Sequence, residues 1–258
     1  MADPPKTPPA RDPFAALRQA TPARIGLGRA GQGLPTKPML AFQLDCARAR
    51  DAVHAPLDVE AVRAAIGLPS LVVASAAPDR LAYLCNPDLG RRLAEDSPPL
   101  PRGDFDLAIV VADGLSATAV HAQAPALVQA LARRLQGWRL APVVVARQGR
   151  VAIGDPIGQA LGARMVVVLI GERPGLTSSD GLSAYLTWDP RPGRRDSERN
   201  CVSNIRAAGG LAPEAAAEKI AWLAGEAGRL GFSGVILKDR QAHQAPQAGA
   251  AQVPGVLP

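Results

Sequence analysis

Apolar positions change their spacing once along this chain, near residue 104, and that change divides the sequence. Upstream they recur at helical intervals. Met39, Phe42, Cys46 and Ala49 fall at i, i+3, i+7 and i+10, with Arg48, Arg50 and Asp51 off the stripe. Asp58 stands where an N-cap belongs, Val62 and Ile66 follow on one face, and Gly67 supplies a stop. Residues 39–100 are therefore expected to be a helical region, closing on a linker, SPPLPRG, at 97–103. Ahead of it, residues 1–38 carry PPKTPPARDP and GLGRAGQGLPTKP, a Pro- and Gly-rich arm with one helical piece near Phe14–Arg24. A segment with so little core is expected to be extended or held by a partner.

Downstream the pattern becomes short, continuous apolar runs: FDLAIVVA (105–112), PVVVA (142–146) and MVVVLI (165–170), as strands buried on both faces must be. Val120, Ala124, Leu127, Leu131 and Leu135 stripe a helix between the first two, and Gly154-Asp155-Pro156 opens another, with Asp155 as its expected N-cap. LSAYLTW (182–188) alternates strictly, with Leu182, Ala184, Leu186 and Trp188 on one face and Ser183, Tyr185 and Thr187 on the other, which suits a strand near a sheet edge. Pro213 opens a helix striped by Ile220, Leu223, Ala227 and Leu230; GVILKD (234–239) reads as a last strand, and 241–258 as a disordered tail. Strands alternating with helices over residues 101–240 predict an α/β fold, a Rossmann-like doubly wound sheet preceded by the helical region.

Composition narrows the function. With 258 residues, 47% hydrophobic, the chain has material for one large domain plus an appendage. Its longest pure apolar run is too short to span a bilayer, and the first residues lack the apolar stretch of a secretory signal, so no membrane role is expected. Aromatic residues are only 3%, too few for base-stacking platforms, and the 29 Lys+Arg against 23 Asp+Glu are scattered rather than massed. Solvated helix faces and arginine-mediated contacts to a partner are expected rather than nucleic-acid binding, and a phosphate-bearing cofactor or an acidic partner chain would also suit this balance. Three cysteines, Cys46, Cys85 and Cys201, with no CxxC spacing, argue against a disulfide framework or a zinc site and for a reducing, cytoplasmic setting.

In a parallel sheet, ligands bind beyond the carboxyl ends of the strands. Three polar, glycine-bearing loops follow the predicted strands there: Asp113-Gly114-Leu115-Ser116, Arg147-Gln148-Gly149-Arg150-Val151 and Gly171-Glu172-Arg173-Pro174-Gly175. Together they predict a binding crevice, although any one alone is ordinary turn chemistry. Gly26-Leu27-Gly28-Arg29-Ala30-Gly31 matches a dinucleotide fingerprint with Asp45 downstream, but no strand precedes it and Asp45 falls on a predicted helix, so it reads as a chance match. His54, His121 and His243 neither cluster nor pair with a spaced nucleophile. No catalytic residue and no metal ligand is assigned.

Read together, ATPARIGLGRAG (20–31), FQLDCARARDAV (42–53), DLAIVVADGLSATAV (106–120), GDPIGQALGA (154–163), IGERPGL (170–176) and ERNCVSNI (198–205) resemble the small (light) subunit of ethanolamine ammonia-lyase, from about Leu17 to about Asp239. The resemblance implies a Rossmann-like subunit that joins a TIM-barrel large subunit, with adenosylcobalamin held between them. It implies conversion of ethanolamine to acetaldehyde and ammonia by a radical route begun by cobalt–carbon homolysis, with the substrate-reacting groups on the large subunit. Carried over by motif, the cofactor-binding positions are Val151, Glu172 and Cys201. The family also implies base-on cofactor binding, and no histidine here sits in the Asp-x-His-x-x-Gly loop that would replace the base. The setting is cytoplasmic, with a bacterial microcompartment as a further location. Two other readings stay open: a Rossmann-type nucleotide-binding enzyme and a cofactor-free basic adaptor.

Overall fold

The computed structural model describes residues 12–21 and 23–240. The Pro-rich beginning of the arm and the expected tail at 241–258 lie outside the described residues. Six strands form one sheet in the order β1-β3-β2-β4-β5-β6: β1 Ser70–Ala74, β2 Phe105–Ala112, β3 Val143–Arg147, β4 Ala163–Gly171, β5 Leu182–Trp188 and β6 Arg199–Ile205. The first four in that order run parallel; β5 and β6 return antiparallel. The α/β expectation holds, and the sheet is mixed.

Alternation along the strands explains why both faces are covered. Leu107, Ile109 and Val111 of β2, with Met165, Val167 and Leu169 of β4, pack with α5 (Ala117–Arg134) and α7 (Pro213–Leu230). The intervening Ala108, Val110 and Ala112, with Val166, Val168 and Ile170, pack with Ile157 and Leu161 of α6 (Gly154–Leu161). Continuous apolar strands thus feed two cores, one on each face. On β5, Leu182, Ala184 and Leu186 join the first core, as the alternation predicts, and Tyr185 packs against the second.

Helices α1 (Ala15–Ala20), α2 (Thr36–His54), α3 (Val59–Ile66) and α4 (Arg80–Cys85) lie in the amino-terminal part. Asp58 caps α3 by accepting the Ala61 N–H at 3.0 Å, and Gly67 ends it in the left-handed conformation at φ +67°. The helical reading of residues 39–100 fails at β1. SLVVA pairs with β3 because its apolar run is too short for a helix and finds an open parallel edge. The strand expected at 234–239 does not form either. Gly234 sits at φ +96°, Asn200 accepts its N–H at 2.7 Å and donates to the Gly234 and Leu237 carbonyls, and only Leu237 of that apolar run is buried. These side-chain bonds satisfy backbone that a ladder would otherwise pair. The edge strand is ERNCVSNI instead, with β6 covering Arg199–Ile205.

Asp155 does not cap α6, whose N-cap is Ile153. Its carboxylate takes Arg199 Nη1 and Nη2 at 2.7 Å each, and Arg199 also donates to Thr187 Oγ1 at 2.9 Å. The pair is 2% and 3% exposed and ties α6 to the two antiparallel strands. Removing one partner strands a buried charge. Asp155→Ala is therefore expected to lower unfolding free energy by about 3–5 kcal/mol, read as a shift in urea midpoint; an unchanged midpoint would show the pair to be dispensable.

Candidate functional site

The loops after β2 and β4 meet backbone to backbone. Leu115 N–H donates to the Gly171 carbonyl at 3.0 Å. A Cβ on Gly114, which sits at φ +56°, would strike the Gly171 carbonyl and Ile170, and one on Gly171 would strike the Ser116 and Asp113 carbonyls. Only glycine permits this approach. Ser116 caps α5 by accepting the Ala119 N–H at 3.1 Å, and its hydroxyl donates to the Ser179 carbonyl at 2.7 Å, holding the two loops together.

The loop after β3 joins through Asp113. This carboxylate is buried, accepts the Gly149 N–H at 3.0 Å and faces Arg80 Nη1 at 3.4 Å. Burial pushes its pKa up, opposed by Arg80 and by the amides of Gln148, Gly149 and Gly114. Arg80, from α4, also donates to the Gly114 carbonyl at 2.9 Å and to the Val53 carbonyl at the end of α2 at 2.8 Å. Tyr83 is wholly buried beneath it. The phenol donates to the Gly149 carbonyl at 2.9 Å, and the ring lies under both Arg80 and Arg150, whose guanidinium carbons are 4.8 and 4.5 Å from its centroid. Burial drives the Tyr83 pKa far above its ordinary value, so the phenol stays a donor.

All three predicted loops open onto one cavity of about 420 Å³, lined by Leu115, Val151, Ile170, Glu172, Tyr83 and Tyr185 among others. That volume lies within the range of small-molecule sites. Both tyrosines of the chain line it. Val151 and Glu172, two of the positions assigned by resemblance, both line it. Cys201 sits one strand further out on β6, directly across from Tyr185. It does not line this cavity, but hydrogen bonds with Tyr185 and Ser183 place it on the same sheet face.

Glu172 braces the rim. Its Oε1 accepts from the Ser183 hydroxyl at 2.5 Å and from the Asn204 N–H at 2.8 Å, while Asn204 holds φ +55° to present that N–H. One carboxylate thereby joins the ends of β4, β5 and β6. Burial, followed by Cys201 and then Glu172, pushes Tyr185 up to about 12. Burial and the Glu172 charge also raise the Cys201 thiol, so it is protonated at neutral pH.

Sequence reasoning missed Arg80 and Tyr83, which lie in the region read as plain helix and carry no spacing signal. Ser183 and Tyr185 were visible as the polar face of the alternating strand. Neither described histidine lines the cavity: His54 ends α2, and His121 Nε2 accepts the Asp58 N–H at 3.0 Å. His243 lies outside the described residues. The glycine fingerprint at 26–31 forms turns in the arm, and its Asp45 pairs with Arg24 at 2.6 Å rather than lining a nucleotide site. Among the described residues no cluster of three or more His, Cys, Asp or Glu could hold a metal ion, and no helix is long and apolar enough to cross a membrane.

The fold is a mixed α/β sheet with a cavity at its carboxyl rim. The particular family follows from comparison. The model of the ethanolamine ammonia-lyase light chain (EutC) matches residues 11–238. A protein of Ralstonia nicotianae is 52% identical over 241 residues, covering 89% of each chain. One of Xanthomonas campestris pv. campestris is 53% identical over 248 residues, covering 91% of this chain and 90% of its own. One of Azotobacter vinelandii is 50% identical over 262 residues, covering 97% and 96%. All three bear the name ethanolamine ammonia-lyase small subunit. The chain belongs to the ethanolamine ammonia-lyase light chain family.

Glu172 and the Cys201 thiol give the site a chemical readout. Glu172→Gln removes a nearby negative charge, lowers the thiol pKa and is expected to raise the rate of iodoacetamide alkylation at Cys201 about threefold at pH 8. All three cysteines are exposed, and peptide mass spectrometry resolves Cys201 from Cys46 and Cys85; a slower rate would show that the Glu172 charge does not reach the thiol.

Proposed function

We propose that this chain is the cofactor-contacting half of an ethanolamine ammonia-lyase, working in the cytoplasm with a TIM-barrel large subunit and adenosylcobalamin. The observation that carries the reading is the rim cavity: the positions the family resemblance assigns to the cofactor, Val151 and Glu172, line it, and Cys201 flanks it on the same sheet face. The Rossmann-like label belongs to this proposal. It is supported by the parallel core β1-β3-β2-β4, with helices on both faces and the cavity at its carboxyl edge.

The residues fit an amide-fringed, largely apolar macrocycle. Val151, Leu115, Ile170 and Tyr185 offer apolar contact, and Glu172 keeps Oε2 available beside Oε1, which Ser183 and Asn204 occupy. At about 420 Å³ the cavity would hold one side of such a group rather than enclose it, leaving the other side to a partner. The cofactor supplies radical chemistry when bound. This chain's residues bind, orient and exclude water, and none is placed to react with substrate.

A partner is also called for by the arm. α2 touches the body near its carboxyl end, where Ala52 is buried and Val53 accepts from Arg80. Its other half exposes Leu40 (58%) and Leu44 (50%), with Phe42 and Met39 beside them, and Phe14 at the N-cap of α1 and Leu17 within it are exposed as well. An apolar helix face left bare is normally an interface. Leu40→Asp combined with Leu44→Asp is expected to weaken assembly with the large subunit at least tenfold, since each loses about 1.5–3 kcal/mol of burial. Size-exclusion of the co-expressed chains and acetaldehyde release read the result. Full ammonia-lyase activity from this chain alone would end the two-subunit reading.

The cofactor is proposed to bind base-on, because neither described histidine faces the rim. With nitrogen-15 in the protein only, electron paramagnetic resonance of the cobalt(II) form is expected to keep the superhyperfine pattern of the unlabelled cofactor base. A pattern that follows protein labelling would identify a protein histidine on cobalt instead.

A further inference from the structure

Arg150 and Arg173 are the cations of the cavity wall. Many arginines elsewhere in the fold pair with carboxylates, Arg199 with Asp155, Arg139 with Asp106, Arg194 with Asp189 and Glu198. Arg150 makes no ion pair among the described residues, yet it is only half-exposed and lines the cavity. Its Nε is buried with no hydrogen-bond acceptor. A buried guanidinium donor without a partner costs free energy unless something completes it.

The side chain is also held in place. Its backbone N–H donates to the Gly90 carbonyl at 2.7 Å, and one guanidinium face lies on the Tyr83 ring. A Cβ at Gly90 would come within 2.8 Å of both Arg150 Cγ and Tyr83 Cε2, so a glycine is needed to seat the pair. Tyr83 in turn is fixed by its bond to Gly149. The result is a planar cation on the cavity wall with its stem seated and one face covered, an arrangement suited to planar or tetrahedral oxyanions. Arg173 lies on the same cavity wall, and Glu172, the carboxylate facing them there, already accepts two hydrogen bonds at Oε1. Two cations against one carboxylate favour an anionic ligand group.

We infer that Arg150 is the anion-binding group of the cavity and that it takes a phosphate ester. This rests on the corrinoid reading above: a cobalamin carries one phosphodiester, in its nucleotide loop, and no free carboxylate. The shared chemistry is a tetrahedral phosphate, and inorganic phosphate is the other source of it.

The test compares corrinoids that differ in that group. Binding to the chain assembled with its large subunit is followed by absorbance for adenosylcobinamide phosphate and for adenosylcobinamide. The parent complex is expected to prefer the phosphate-bearing form by about tenfold to a hundredfold. Arg150→Met should abolish that preference while leaving adenosylcobinamide affinity within about threefold. Arg150→Lys, which keeps the charge but not the planar fork, should keep part of it. It also carries the test if the Met variant fails to assemble. Equal losses for both corrinoids in Arg150→Met, or a parent complex that does not discriminate, would overturn the assignment and leave the corrinoid reading standing. A complex that binds no corrinoid, yet broadens the phosphorus resonance of inorganic phosphate in an Arg150-dependent way, would leave the anion site and remove the cofactor reading. Neither signal would remove both.

Discussion

A carboxylate inside a protein must be matched or it stays protonated, and the rim of this sheet is organised around one that is matched from three directions. Asp113 sits at the end of β2, in the centre of the parallel strands. It accepts amide hydrogens from the loop after β3 and faces Arg80 from α4. Each partner brings an element with it. The Gly149 amide fixes the loop that carries Arg150 and Val151, and Arg80 reaches on to the Gly114 carbonyl and the last turn of α2. Because desolvation is costly, these groups are not free to wander. The geometry of the rim, and the attachment of the amino-terminal helix to the body, follow from satisfying that one charge.

Glu172 repeats the logic on the antiparallel side. β4 and β5 are joined by an ordinary ladder, but β6 must be registered at its far end, where the register shifts between Leu182 and Ala184. The Glu172 carboxylate accepts from Ser183 on β5 and from the Asn204 amide on β6, so register and rim are set by the same group. Its effect on Tyr185 and Cys201 is a by-product of position. Desolvation, with the Glu172 charge adding to it, raises the Tyr185 phenol and the Cys201 thiol, which leaves donors on that wall at neutral pH.

The parts of this fold that were legible in sequence are those decided locally. β2 and β5 fall on the residues that continuous burial and strict alternation mark, and Asp58 with Gly67 brackets α3 by capping chemistry alone. Where tertiary pairing decides, pattern fails. SLVVA becomes a strand because β3 offers an edge, and GVILKD does not because Asn200 has already satisfied its backbone. Asp155 looks like a cap in the one-dimensional pattern and is instead the counter-charge of Arg199, 44 residues away. The candidate site divides the same way. Loops following strands were readable, as were Val151 and Glu172 by resemblance, whereas Arg80 and Tyr83 enter from a helix whose sequence says nothing about where it packs.

Much of the arginine charge on this chain is paired with neighbouring carboxylates. Arg139 is shared by Asp104 and Asp106, Arg194 by Asp189 and Glu198, and Arg133 and Arg134 reach across from α5 to Glu214 and Glu218 of α7. Exposed pairs of this kind add little stability, about 0–1 kcal/mol each, but they cancel one another's field within a Debye length of roughly 8–10 Å. What remains is local. At the rim Arg150 and Arg173 stand against a single carboxylate whose Oε1 is engaged, in a cavity lined by apolar side chains where an unscreened charge acts at short range. The same cation on an open helix face would be solvated and indifferent to its neighbours. Seated between Gly90 and Tyr83, it is held at the cavity wall, so its position rather than the net charge of the chain decides what it can meet there.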